Sequence, residues 1–440
     1  MSEIALAGSG IAILLSMMFL RVPIGAAMAL VGMGGYALLA GIDPLLSQVK
    51  TAAYWRYSSY DLSVVPLFLL MGQFATRAGL SNALFNAARG FLGHHRGGLA
   101  MAAVGGCAGF GAICGSSLAT AATMGQVALP ELRRYNYSGA LSTASLAAGG
   151  TLGILIPPSI VLVIYAILVE ANIAVMFQAA FVPGILAAVG YVLAIMVVVR
   201  IWPDAGPAVA PLPHAERWRK LLDVWPVLTI FVVVIGGIYA GIFTPTEGAA
   251  IGAFLTGGYA FVQGNLSTNV FAECLTQTAV STGMIFLIIF GADMLNGFLA
   301  LTGLPDFAVM TIVDSGLSPY VVLIVMIVIF IIFGCVMDSL SMILLAIPVF
   351  WPVIAAMDFG MTEADTKTWF GIIALIVVEL GLITPPVGMN IFIINSMAKD
   401  VPMRETFIGV IPFIVTDLLR VALLVLLPAI VLFVPHLLAD

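Results

Sequence analysis

Apolar runs long enough to cross ~30 Å of hydrocarbon follow one another along the whole chain, and they constrain its fold more than any single motif does. Ile4 to Leu20, Val22 to Ala40, Val224 to Ile242, Tyr320 to Gly334 with its flanks and Val421 to Val434 with its flanks are examples. By a ~20-residue criterion there are roughly ten to twelve spans or half-spans. Hydrophobic residues make up 62% of the 440 and charged ones 9%, where soluble domains run near ~45–50% and ~25%. No water-soluble surface can be built from that, so the expected class is an all-α polytopic membrane protein. The first run lacks a basic leading region and flows straight into the second, which reads as a span rather than a cleavable signal.

The formal charge of −6 comes with no basic stripe for phosphates, which argues against a nucleic-acid partner. Cys107, Cys114, Cys274 and Cys335 have no CxxC spacing and sit in apolar context. They read as small core hydrophobes, and no transition-metal site or organic cofactor is expected. His94, His95, His214 and His436 fall in loops or at span ends.

One half of the chain echoes the other. Val22-Pro23-Ile24-Gly25-Ala26-Ala27 and Gly34-Gly35-Tyr36-Ala37 have counterparts in Pro245-Thr246-Glu247-Gly248-Ala249-Ala250 and Gly257-Gly258-Tyr259-Ala260. The same offset joins Gly111 to Gly334 and Ser116 to Ser339. A slightly larger one joins Gly153-Ile154-Leu155-Ile156-Pro157-Pro158 to Gly381-Leu382-Ile383-Thr384-Pro385-Pro386, and the polar stretch Thr362 to Lys367 accounts for the insertion. Basic residues mark cytoplasmic loops. Arg89, Arg96, Arg133 and Arg134 flank the central segment of the first half, whereas Asp314, Asp358, Glu363 and Asp365 dominate around that of the second. The halves are therefore expected to enter the membrane from opposite sides, as in an inverted-repeat transporter. The expected divisions are early helices over 1–97, a first core half over 98–200 and a basic, Pro-rich cytoplasmic linker over 201–222. The second set of early helices covers 223–313 and the second core half 314–440.

Each half carries two interruptions inside apolar sequence. The first is a Gly/Ser tip, Gly111 to Thr120 and again Gly334 to Ser341, best explained by a re-entrant hairpin. The second is the Gly-x-x-x-Pro-Pro element, where each proline lacks an N–H and clashes with the carbonyl one turn back, so the helix must break. Broken backbone at membrane depth is tolerated only where it lines a cavity or meets an ion or substrate. Carbonyls and hydroxyls there can replace the water shell of Na⁺, and half-helix N-termini can face an anionic substrate. The sodium candidates are Gly111, Ser116, Ser117, Gly153, Gly334, Asp338, Gly381 and Thr384. Those for substrate are Thr120, Pro157, Pro158, Ser159, Ser339, Ser341, Pro385, Pro386 and Asn390. No Lys or Arg occurs between Leu99 and Pro130 or between Ser315 and Met361, so a small-molecule carboxylate would be neutralised by dipoles, hydroxyls and bound cations.

Plainer readings stand beside these. Glycine-rich tips also serve close helix packing, and Pro-Pro breaks can be kinks that neighbouring helices satisfy. Glu379, Asp293, Asp417 and Arg420 read as structural charges, Glu247 as the N3 partner in a capping box with Thr244, and Arg21, Lys50 and Arg56 as interface anchors. Segments near Glu170 to Phe181 and Lys399 to Phe407 read as interfacial connectors. An intramembrane serine protease needs a base near its nucleophile, and no histidine lies within a span.

Val65-Pro66-Leu67-Phe68, Gly115-Ser116-Ser117-Leu118-Ala119-Thr120, Gly153 to Ser159, Phe243-Thr244-Pro245-Thr246-Glu247 and Gly381 to Asn390, in that order over nearly the whole chain, resemble the large membrane subunit of tripartite ATP-independent periplasmic (TRAP) transporters. The resemblance implies an elevator-type mechanism, Na⁺ coupling and location in a bacterial inner membrane. It also implies a small four-helix membrane (Q) subunit, expected here as a separate chain, and a periplasmic binding protein that delivers C4-dicarboxylate, sialic acid or a similar carboxylate. The rival reading is a divalent-anion/Na⁺ symporter that works without a binding protein.

Overall fold

The computed structural model describes residues 3–439, and among these the only regular structure is helical. The first half runs through α1 (Glu3–Phe19), α2 (Ile24–Ala40), α3 (Ile42–Tyr57), α4 (Val64–Arg77), α5 (Leu80–Leu92), α6 (Gly98–Cys114), α7 (Ser117–Arg134), α8 (Gly139–Leu155), α9 (Ile160–Val169) and α10 (Ile173–Ile201). The second half opens with α11 (His214–Leu222), α12 (Trp225–Phe231), a π-helical turn and α13 (Gly237–Tyr239). It continues with α14 (Pro245–Val262), α15 (Thr268–Leu301), α16 (Leu304–Asp314), α17 (Pro319–Gly334), α18 (Ser339–Ala355), α19 (Glu363–Gly381), α20 (Met389–Met397), α21 (Met403–Leu426) and α22 (Ala429–Ala439). Among the described residues α10, α15 and α21 are long and apolar enough to cross a membrane alone. Three bent pairs pass the same test together, among them α8 with α9 at 45°.

Punctuation follows local chemistry. Thr244 and Glu247 form the expected capping box, and Asn172 accepts the amides of Ala174 and Val175 at the start of α10. The Pro-rich linker stays out of α-helix until His214, each proline removing a backbone donor. From Ile173 and Met403 onward, the segments Glu170 to Phe181 and Lys399 to Phe407 are the first turns of α10 and α21. One expectation is corrected. The apolar run Val421 to Val434 is not one span, because Pro428 cannot continue α21 and α22 begins anew after it.

In lipid, helices associate through close packing rather than through water exclusion. α2 lies against α15 closely enough that a Cβ on Gly32 would fall 2.4 Å from the Leu295 nitrogen, and one on Gly291 2.3 Å from the Gly25 carbonyl oxygen. α4 packs on α14 and α15. The hairpins α6–α7 and α17–α18 sit with α8, α9, α19 and α20, and α8 contacts α6, α7, α20 and α21. All four cysteines are buried and unpaired.

Buried polar groups tie this inner group together. Thr143 of α8 and Thr406 of α21 share a 2.9 Å hydrogen bond, and Thr406 donates to Asn395 of α20. Thr151 of α8 bonds Tyr191 of α10, whose hydroxyl donates to Asp417 of α21 at 2.7 Å. Arg420 pairs with Asp417 at 2.8 Å, both side chains almost wholly buried. Asp293 likewise accepts two hydrogen bonds from Arg56, at 2.6 and 2.8 Å.

Candidate functional site at the hairpin tips

The first tip is a turn of two residues. α6 ends on Gly115, which takes the left-handed conformation at φ 64°, and Ser116 caps α7 by accepting the Ala119 amide. At the second tip Asp338 caps α18, its carboxylate accepting both the amide and the hydroxyl of Ser341. A bare carboxylate at membrane depth is costly, and here two donors and a helix N-terminus meet it.

Each tip is crossed by a broken helix at a glycine pair. A Cβ on Gly111 would lie 2.5 Å from the Gly153 Cα, and a Cβ on Gly381 would lie 2.6 Å from the Gly334 Cα. These four residues therefore bring tip and break into contact in both halves. A Cβ on Gly153 would also stand 2.4 Å from the Thr120 hydroxyl oxygen and 2.7 Å from the Ser116 carbonyl oxygen. Thr120 is fully buried, and its hydroxyl has no hydrogen-bonding oxygen or nitrogen, only the Cys114 thiol nearby. Pro157 and Pro158 have no N–H, so the Gly153 carbonyl lacks its helical donor. Oxygens without partners, gathered by a close backbone approach, fit a hard monovalent cation. Among the described residues no His, Cys, Asp or Glu cluster suits a transition metal.

The second break satisfies more of itself. The Thr384 amide donates to the Gly381 carbonyl at 3.0 Å, the Thr384 hydroxyl to the Leu380 carbonyl at 2.6 Å, and the Asn390 amide to the Leu382 carbonyl at 3.1 Å. The Gly388 amide donates to the Cys335 carbonyl, binding break to tip. Pro385 and Pro386 are exposed, whereas Pro157 and Pro158 are buried. The Ser159 side chain caps α9, and the Asn390 side chain donates to the Ala147 carbonyl of α8.

The two tips meet. Ser116 and Ser117 from one, and Asp338 and Ser339 from the other, line a single cavity of about 190 Å³, closed by Leu69 of α4 and by Ser281, Met284 and Ile285 of α15. The residue that joins them is Glu379 of α19, wholly buried, which accepts the Ser117 hydroxyl on one carboxylate oxygen and the Ser339 hydroxyl on the other. In the sequence Glu379 is a lone carboxylate two residues before Gly381 in an apolar run, with nothing to name its partners. A larger cavity, about 690 Å³, lies between α3, α9, α15 and α18, with the Arg56–Asp293 pair, Trp55 and Trp351 in its wall.

Residues 11–430 match the family described as tripartite ATP-independent periplasmic transporter, DctM component. The chain belongs to this family. It is 35% identical over 379 residues to the C4-dicarboxylate TRAP transporter large permease protein DctM of Pseudomonas aeruginosa, covering 86% of each chain. It is 29% identical to the isethionate TRAP transporter permease protein DctMQ of Oleidesulfovibrio alaskensis, covering 94% of this chain and 64% of that one. The YdaH transporter of Alcanivorax borkumensis shares the fold alone, with a TM-score of 0.60 at 14% identity over 88% of each chain. This TRAP large permease is thus a multi-pass membrane transporter subunit and not an enzyme.

Proposed function

We propose that this subunit carries a small organic acid across the bacterial inner membrane, driven by Na⁺, with a small membrane subunit as its neighbour and a periplasmic binding protein delivering the substrate. The observation behind this reading is the shared cavity, to which both tips bring hydroxyls and half-helix N-termini while no Lys or Arg enters. Such a lining favours an anion only together with cations. Two of the relatives are named for the acids they carry, a C4-dicarboxylate and isethionate.

Sodium supplies the positive charge that the lining lacks. In the first half Ser116, Ser117, Gly111 and Gly153 would hold it, with Thr120 adjacent. In the second half Gly334, Asp338, Gly381 and Thr384 would do so. The acid would lie in the cavity against Ser339 and the tip amides; of the other substrate candidates, Pro157–Ser159, Ser341, Pro385, Pro386 and Asn390 do not line it. Residues 98–200 and 314–440 would move as a unit past 1–97 and 223–313, since the cavity lies on the boundary between them. Each net positive charge moved inward gains ~2.3 kcal/mol per 100 mV, enough to drive accumulation.

Uptake into proteoliposomes, with the small subunit present and an inward sodium gradient imposed, tests the tripartite reading. Uptake of a labelled acid that stops when the binding protein is left out supports it. Equal uptake without that protein favours the stand-alone symporter.

A further inference from the structure

Glu379 stands behind the cavity, not in its lining, and both serines it touches stand in front. A serine hydroxyl has one proton to donate and two lone pairs to offer. With Glu379 ionised, the hydroxyls of Ser117 and Ser339 both donate back to its carboxylate. Toward the cavity these hydroxyls therefore offer lone pairs only, and they cannot donate to a substrate carboxylate. Ser341, outside the lining, likewise spends its proton on a carboxylate, that of Asp338.

The charge of Glu379 is itself accommodated by its position. Ser117 and Ser339 are the first residues of α7 and α18, so the carboxylate lies at two helix N-termini whose partial positive charges favour an anion. Among the described residues neither Glu379 nor Asp338 has a Lys or Arg ion-pair partner, and the buried guanidinium of Arg420 is held by Asp417. Two intramembrane carboxylates around oxygen lone pairs call for a cation in front of them.

We propose that Glu379 is a positioning residue that sets the polarity of the site: it accepts both tip protons, so that Ser117 and Ser339 act as cation ligands and the substrate's carboxylate is left to the tip amides. This rests on the sodium reading above and extends it by assigning Ser339 to the cation rather than to the acid.

The test compares wild type, Glu379→Gln and Ser339→Ala, each purified with the small subunit. Two quantities are read: the sodium midpoint for thermal stabilisation, with choline as control, and the half-saturation for the acid at saturating sodium. A glutamine must donate to one of the serines, which turns that hydroxyl's proton into the cavity. Removing one charge-assisted contact corresponds to about a tenfold or greater rise in the sodium midpoint, while the acid's half-saturation moves less than about threefold. Ser339→Ala moves the sodium midpoint the same way, and it carries the test should Glu379→Gln not fold. An unchanged sodium midpoint in either folded variant, or a rise confined to the acid's half-saturation, overturns the assignment. A wild type whose stability ignores sodium overturns the underlying sodium reading instead.

Discussion

At the scale of single residues the account turns on which oxygens are free. Thr120 has a buried hydroxyl without an oxygen or nitrogen partner beside the Ser116 carbonyl, so Thr120→Val should raise the sodium concentration for half-maximal uptake about tenfold, leaving folding intact. Unchanged sodium dependence in that variant would remove Thr120 from the site. Asp338 separates two roles. Asparagine caps a helix as well as aspartate does, so Asp338→Asn should melt like wild type yet need more sodium, whereas Asp338→Ala should also lose ~1 kcal/mol of helix capping. Arg420 has a different part. Removing it strands the Asp417 charge, and Arg420→Leu should cost ~3–5 kcal/mol, read as a fall in the melting temperature of detergent-solubilised protein. Pairing it with Asp417→Asn should recover much of that loss.

Among elements, the glycine crossings that join each tip to its break matter most. Gly153→Val should disrupt the α7–α8 contact by more than ~1–3 kcal/mol, because its Cβ would meet the Thr120 hydroxyl at 2.4 Å. Expression and melting of this variant against Gly105→Val, where a Cβ would meet only the Ala88 Cβ at 3.7 Å, check the claim. These crossings were legible in the sequence because Gly and Pro act through the backbone and recur at one register in both halves. Glu379 was not, since nothing in an apolar run tells which helices its carboxylate will meet, and both its partners lie far away in the chain. The asymmetry of the two breaks was equally hidden. It depends on Thr384 and Gly388 donating to nearby carbonyls, a turn geometry that the shared Pro-Pro spelling does not reveal.

For the whole molecule, the tip cavity lies between two groups of helices, one carrying the hairpins and the other contributing α4 and α15. A carrier built this way should stop when the groups are tied together. Cysteines introduced at Leu69 and Leu340, joined by a short reducible cross-linker, should abolish uptake, and reduction should restore it. The composition made the membrane class plain, and the repeat made the paired architecture plain. Which surfaces face each other across the cavity emerged only from packing. The most direct measurement is accumulation of a labelled organic acid by the complete transporter in proteoliposomes under an inward sodium gradient, compared with equal sodium on both sides. The account predicts accumulation above the external concentration only with the gradient; the same accumulation with equal sodium, or with sodium replaced by choline, would contradict it.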